Sequence, residues 1–179
     1  MLLAAMSSVV FLRAVNVGRT NRCQPALIAK QLAKFGVVNI GAVGTFVVRK
    51  DVSESALRAA IAKKLAFKCE IMICPAKEIV DLVKEDPLRG ERGDDIDALV
   101  SIMAQRPPKI IGKLPIYVPS PDKWEIKIAN VIGRAVICLR RRMKNGHLYP
   151  NAVVEKQFGI AATTRSWNTI EKVAKILKQ

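Results

Sequence analysis

"PALIAKQLAKFGVVNIGAVGTFVVRK" (residues 25–50) contains a change of period that decides the fold. Up to Phe35 the apolar residues Leu27, Ile28, Leu32 and Phe35 recur near one helical face, with Pro25 at a permitted first-turn position and Gly36 as the stop. Beyond Gly36 the chain switches to short runs rich in β-branched residues. "VVNIGAV" and "TFVVRK" read as two strands broken at Gly44.

Upstream, "SSVVFLRAV" (Ser7 to Val15) reads as a strand and "NVGRTNR" (Asn16 to Arg22) as a loop. Downstream, "SESALRAAIAKKL" reads as a helix, with Ser53 as N-cap and Leu57, Ile61 and Leu65 at four-residue spacing. "KCEIMIC" reads as another strand. The order from Ser7 to Cys74 is therefore β-α-β-β-α-β, the ferredoxin-like pattern. A helix over "PAKEIVDLVKEDP" and a polar connector, "RGERGDDID", follow.

The predicted division is a ferredoxin-like first half, residues 7–90, and a strongly basic α+β second half, residues 97–179. In the second half "ALVSIMA", "PIYVPS", "WEIKIANV" and "GRAVICLRRR" read as strands, and "PNAVVEKQFG" as a short helix. "NTIEKVAKILK" reads as a final helix with Ile170, Val173, Ala174 and Leu177 on one stripe. The expected fold class is α+β, two ferredoxin-like halves packed together with the second degraded.

The net charge is +15 in 179 residues, well above the ~2 to 8 that solubility asks of a small domain. It is concentrated towards one end. Residues 1–100 hold 15 basic and 11 acidic residues, whereas residues 101–179 hold 15 and 4. Such an end attracts phosphates or acidic surfaces. Half of the residues are apolar, which excludes disorder.

The four cysteines (Cys23, Cys69, Cys74 and Cys138) show no metal-ligand spacing and have one histidine, His147, beside them. They read as reduced thiols of a cytoplasmic protein, with Cys69 and Cys74 expected in one strand. "MLLAAMSSVV" lacks a basic leader and a cleavage site, and no segment reaches the ~18 apolar residues of a membrane span. The expectation is a soluble protein with no membrane partner, no metal and no cofactor. The sequence carries no signal of oligomeric state.

Several stretches bear on chemistry. The "NVGRTNR" loop joins a strand to a helix, where backbone N–H groups gather at an anion, and Arg19 and Arg22 would add charge. An ordinary turn with Gly18 left-handed is the plainer reading, since neither a P-loop nor a dinucleotide fingerprint is complete. An RNA-recognition motif would stack bases on its first and third strands, but beside Phe11 and Phe46 the third strand offers valines. Core packing explains both phenylalanines better.

"RRRMKNGH" (Arg140 to His147) is the densest positive charge. Arg140 and Arg142 should face one way and Arg141 the other, forming either a phosphate-binding ridge or a soluble hairpin end. The carboxylates Asp94, Asp95 and Asp97 lack the ligand order of a calcium loop and read as a solvated linker. No nucleophilic triad or paired-carboxylate arrangement emerges.

"ATTRSWNTI" (Ala162 to Ile170) concentrates polar residues ahead of the last helix. Asn168 with Glu171 three residues on resembles a capping box, and Ser166 is the alternative cap. Trp167 would then pack into the core, while Thr163, Thr164 and Arg165 suggest an anion pocket.

"FLRAVNVGRTN" (residues 11–21) together with "ATTRSWNTI" resembles a family of uncharacterised bacterial proteins, the domain of unknown function 1697. That family opens on a strand like "LLRGINVGG", continues to a strand pair around "SGNVVF", and closes on a phrase like "ATTRNWNTV". Here Arg13-Ala14 stands for its Arg-Gly, Gly18-Arg19 for its paired glycine, and "VGTFVV" for "SGNVVF", with Val43 and Thr45 in place of Ser and Asn. "GHLYPN" lacks the family's Ser-Lys. The resemblance implies a two-half ferredoxin-like α+β protein and no assigned activity. It leaves Arg13, Asn16, Gly18, Arg19, Thr163, Thr164, Arg165, Ser166, Trp167 and Asn168 as the candidate shared site.

The first functional expectation is a protein that binds a polyanion, nucleic acid without sequence preference, with Arg140, Arg141, Arg142, Lys144 and Arg165 on phosphates. The second is an enzyme or sensor for a small phosphorylated ligand held between the Asn16–Arg19 loop and the Thr164–Asn168 segment. The third is a module that binds an acidic protein partner.

Overall fold

A computed structural model describes residues 7–18, 20–108, 112–146 and 148–179. The chain is α+β with two antiparallel sheets, and it divides into two compact units. One comprises residues 7–83 of the described chain with Glu171–Gln179, and the other comprises Lys84–Ile170. The sequence placed the division near residues 90–97 and assigned the whole last helix to the second half.

The first unit begins with β1 (Ser8–Leu12), whose Val9, Val10, Phe11 and Leu12 are all buried. A strand apolar on both faces belongs in the middle of a sheet. β1 indeed lies between β3 (Thr45–Val48) and β4 (Ile71–Pro75), with β2 (Val37–Ile40) at the edge beyond β3. All three pairings are antiparallel.

Helix α1 (Pro25–Gln31) stops short of the expected length, and a 3-10 turn, Ala33–Phe35, carries the chain to a left-handed Gly36. Ile28 and Leu32 are buried, but Leu27, one residue off their stripe, is exposed. Helix α2 (Glu54–Ala62) starts at Ser53, whose hydroxyl accepts the Ala56 N–H at 3.3 Å. Its Leu57 and Ile61 pack with Val10, Leu12, Phe46 and Val48 in the core of this unit. Both Phe11 and Phe46 are fully buried. Helix α3 (Ala76–Glu85) follows β4 directly. Cys69 precedes β4 instead of lying in it.

The second unit orders its strands β6-β7-β8-β5-β9. β5 (Ile96–Met103) starts inside the stretch read as a connector, because Ile96 and Asp97 already pair with Arg141 and Arg140 of β8 (Ala135–Arg141). β6 (Ile116–Val118) and β7 (Ile126–Ile132) complete one side, and β7 turns into β8 through a left-handed Gly133. Helix α4 (Pro150–Phe158) packs Val154 and Phe158 against Ile128, Val136, Cys138 and Met103.

β9 (Ala162–Ser166) is a strand where the sequence suggested a helix entrance; it pairs with β5 from Leu99↔Ser166 to Met103↔Ala162. Helix α5 (Trp167–Leu177) leaves it without a loop. Among the described residues no helix separates β5 from β6, so this unit does not repeat the element order of the first. Among the described residues no helix is long and apolar enough to cross a membrane.

Candidate functional site

Antiparallel pairing places directly opposite residues on the same face of a sheet. Asp97 lies opposite Arg140, and Arg142, two residues on, points the same way. The Asp97 carboxylate accepts Nε and Nη2 of Arg140 at 3.1 and 2.8 Å, and Nε of Arg142 at 2.7 Å. Arg142 also donates to the Asp94 carbonyl at 2.9 Å. Burial alone would raise the Asp97 carboxyl pKa, but the two arginines overcome it and hold that pKa below its ordinary value. Asp97 is therefore the clasp of an arginine pair and not a solvated linker residue. Among the described residues no group of three His, Cys, Asp or Glu side chains is arranged to hold a metal.

Arg141 faces the other way, as strand alternation requires, and lies 4.2 Å over the Trp124 ring. Trp124 meets Tyr117 at 6.3 Å in a tilted pair, and Lys127 lies 5.8 Å over Tyr117 while pairing with Glu91. Lys144 is exposed.

The closing segment sorts itself by strand alternation as well. Arg165 and Thr163 are buried on one face of β9. Nη1 of Arg165 donates to Oγ1 of Thr163 at 2.9 Å and to the Thr164 carbonyl at 2.8 Å. Burial pulls the Arg165 pKa down to about 10, so it stays charged at neutral pH. Oγ1 of Thr164 shares a 2.6 Å hydrogen bond with Oγ of Ser101. These groups serve the sheet.

Ser166 caps α5. Its hydroxyl accepts the Thr169 N–H at 3.3 Å, which leaves Asn168 inside the helix as an exposed first-turn residue. Trp167 is 2% exposed, its Nε1 has no hydrogen-bond partner, and Arg92 sits 5.1 Å over its ring. An unsatisfied buried donor is costly and calls for a reason.

Around this helix start opens a cleft of about 340 Å³ lined by Arg92, Asp97, Arg140, Arg142, Ser166, Trp167 and Asn168 among others. It brings together two sets that the sequence kept apart, Arg140 with Arg142 and Ser166 to Asn168. It also adds Arg92, which no local signal marked, and Asp97, which the sequence offered only as part of an acidic linker. Thr163, Thr164 and Arg165 do not line it. A second cleft, of about 300 Å³, shares Asp97, Arg140 and Arg142 and reaches Glu125 and Tyr149.

The remaining candidates lie in the first unit. The Asn16 amide donates to the carbonyls of Cys23 at 3.0 Å and Ala42 at 2.7 Å and accepts the Cys23 N–H at 2.9 Å. This side chain holds its loop to the β2–β3 turn. Gly18 is left-handed and its carbonyl takes a bond from Arg22 at 2.9 Å. The Arg13 N–H donates to the Glu70 carbonyl at 3.0 Å. Arg19 and His147 lie outside the described residues.

A family model described as a protein of unknown function, DUF1697, matches residues 6–131. The chain belongs to DUF1697. The matched span includes "FLRAVNVGRTN" and Arg92, whereas the closing phrase and Arg140–Arg142 fall beyond it. Among solved structures, this DUF1697 protein resembles the conserved bacterial protein SP0830 from Streptococcus pneumoniae. The TM-score is 0.62 at 14% identity, over 97% of this chain and 99% of that one. This likeness shows the shared fold. A comparison with curated proteins gives no match.

Proposed function

We propose that this DUF1697 protein binds a phosphate-bearing polyanion, nucleic acid without sequence preference, through its second unit. The convergence of Arg92, Arg140 and Arg142 on the cleft at the start of α5 carries the reading. Arg140 commits two donors to Asp97, and a guanidinium has five, so donors remain for an incoming phosphate oxygen. The excess of 15 basic over 4 acidic residues across 101–179 would bring such a ligand in. Arg165, buried in the sheet, leaves the phosphate-contacting set.

The concave form of the cleft also favours a second reading, a small phosphorylated ligand seated in it. That reading no longer draws on the Asn16 loop, which belongs to the other unit and whose amide is committed locally. We read the first unit as ferredoxin-like on its β-α-β-β-α-β order and β4-β1-β3-β2 sheet, and assign it no ligand. The four free cysteines support a cytoplasmic setting.

The test is fluorescence anisotropy with generic duplex and single-stranded DNA at three salt concentrations. A variant carrying Arg92→Gln, Arg142→Gln and Lys144→Gln keeps the Arg140–Asp97 pair. It should lower the log–log salt slope by about 0.9 for each phosphate that it no longer neutralises on duplex DNA. An unchanged slope removes this surface. If no DNA binds but pyrophosphate raises the melting temperature, the small-ligand reading replaces the first.

A further inference from the structure

We infer that the second cleft, at the C-terminal end of β8, takes one unpaired nucleobase of a single strand. This rests on the phosphate reading above and names its substrate class as single-stranded nucleic acid. The cleft, of about 300 Å³, is at the small end of ligand pockets and suits one planar ring with its sugar.

Four features of its wall fit that occupant. Arg140 and Arg142 border both clefts, so a strand whose phosphate sits on them has its neighbouring base within reach of the second. Tyr149 stands at the rim 68% exposed, an aromatic face with no core to fill. Arg141 is a further lining residue, and with its guanidinium held 4.2 Å over Trp124 it adds positive charge beside the cleft.

Glu125 is the fourth feature. It is only 6% exposed yet lines the cleft, and its Oε1 accepts the Leu148 N–H at 2.6 Å. A Cβ at Gly146 would stand 3.1 Å from that oxygen, so glycine there leaves the carboxylate uncrowded. A carboxylate accepts hydrogen bonds and cannot donate them, so it selects bases that present an amino group, such as cytosine through N4. Thymine presents a carbonyl oxygen at the same position.

The experiment compares oligo(dC), oligo(dT) and a mixed-sequence duplex by anisotropy, with the wild type and two variants. Tyr149→Ala removes an exposed side chain and should weaken single-strand binding about 10-fold while leaving the duplex unchanged. Glu125→Gln keeps an acceptor for Leu148 and should abolish a preference for oligo(dC) over oligo(dT). Circular dichroism confirms that both variants fold. If both bind all three probes as the wild type does, with a steep salt slope throughout, the base pocket is refuted and the phosphate surface stands. If the wild type binds none of the probes at low salt, the phosphate reading fails and takes the base pocket with it.

Discussion

Asp97→Asn should make the protein less stable and a better binder at once. The carboxylate takes three hydrogen bonds from two guanidiniums, each charge-assisted. Bonds of that kind reach about 1.5–3 kcal/mol when shielded from solvent. Here the Arg140 and Arg142 side chains are 38% and 61% exposed against 20% for Asp97, so water screens both pairs. Each then contributes nearer 0.5–1 kcal/mol, and the variant should lose about 1–2 kcal/mol. For a chain of this length that is a fall in melting temperature of about 3–6 °C.

The sign with pH follows from the lowered Asp97 pKa. A depressed carboxyl stabilises the fold above its unfolded value, near 3.8, and that contribution is lost as pH falls through the lower folded value. The wild-type advantage should be full at pH 7 and pH 5 and shrink below about pH 4. Binding moves the opposite way, because the substitution removes one negative charge and frees two guanidiniums. The log–log salt slope should steepen by about 0.9 to 1.8 on duplex DNA. Differential scanning calorimetry at three pH values with anisotropy at three salt concentrations reads both effects. A destabilised variant with unchanged affinity and slope would refute the assignment of Arg140 and Arg142 to phosphate; unchanged stability at pH 7 would refute the clasp.

Two further outcomes follow from the packing. Gly44 has φ +73°, and a Cβ there would stand 2.7 Å from the Cβ of fully buried Leu12. Gly44→Ala combines a left-handed alanine with overpacking and should cost about 2–4 kcal/mol in urea unfolding; a loss below about 1 kcal/mol contradicts the close approach. Burial pushes the Cys138 thiol up to about 12 and raises Cys23 and Cys69 less far. Ellman's reagent should therefore label Cys23 and Cys69 slowly in the native protein, and Cys74 and Cys138 only after denaturation, so rapid labelling of Cys138 would contradict its burial.

The first unit was legible because its signals are local. β1, β3 and β4 are runs of β-branched and apolar residues, α2 carries its own cap, and Gly36 and Gly44 mark the breaks where left-handed backbone is needed. β9 was hidden because the face it buries carries Thr163 and Arg165, so hydrophobic alternation does not reveal it. The start of β5 was hidden for the same reason, since Asp97 replaces an apolar residue there and finds Arg140 across the ladder.

The candidate site divides along the same line. The arginine run and the Ser166–Asn168 segment were visible as residue types. Their meeting was not, because it depends on the registers of β5 with β8 and of β5 with β9, pairings between strands far apart in the chain. Arg165 was misassigned because strand alternation turns it inward while its neighbour Ser166 faces water.

The first unit is not continuous along the chain. Glu171–Gln179 belongs to it, and the 87 residues of Lys84–Ile170 intervene. Val173, Ala174 and Leu177 are buried there, so the apolar seat of α5 stands open until they are made. At a synthesis rate of ~5–20 residues per second the wait is roughly 4 to 17 seconds, long compared with collapse of the strands around it. On the ribosome the strands of this unit are therefore made well before the helical segment that completes it, and its apolar surface stays uncovered for that interval.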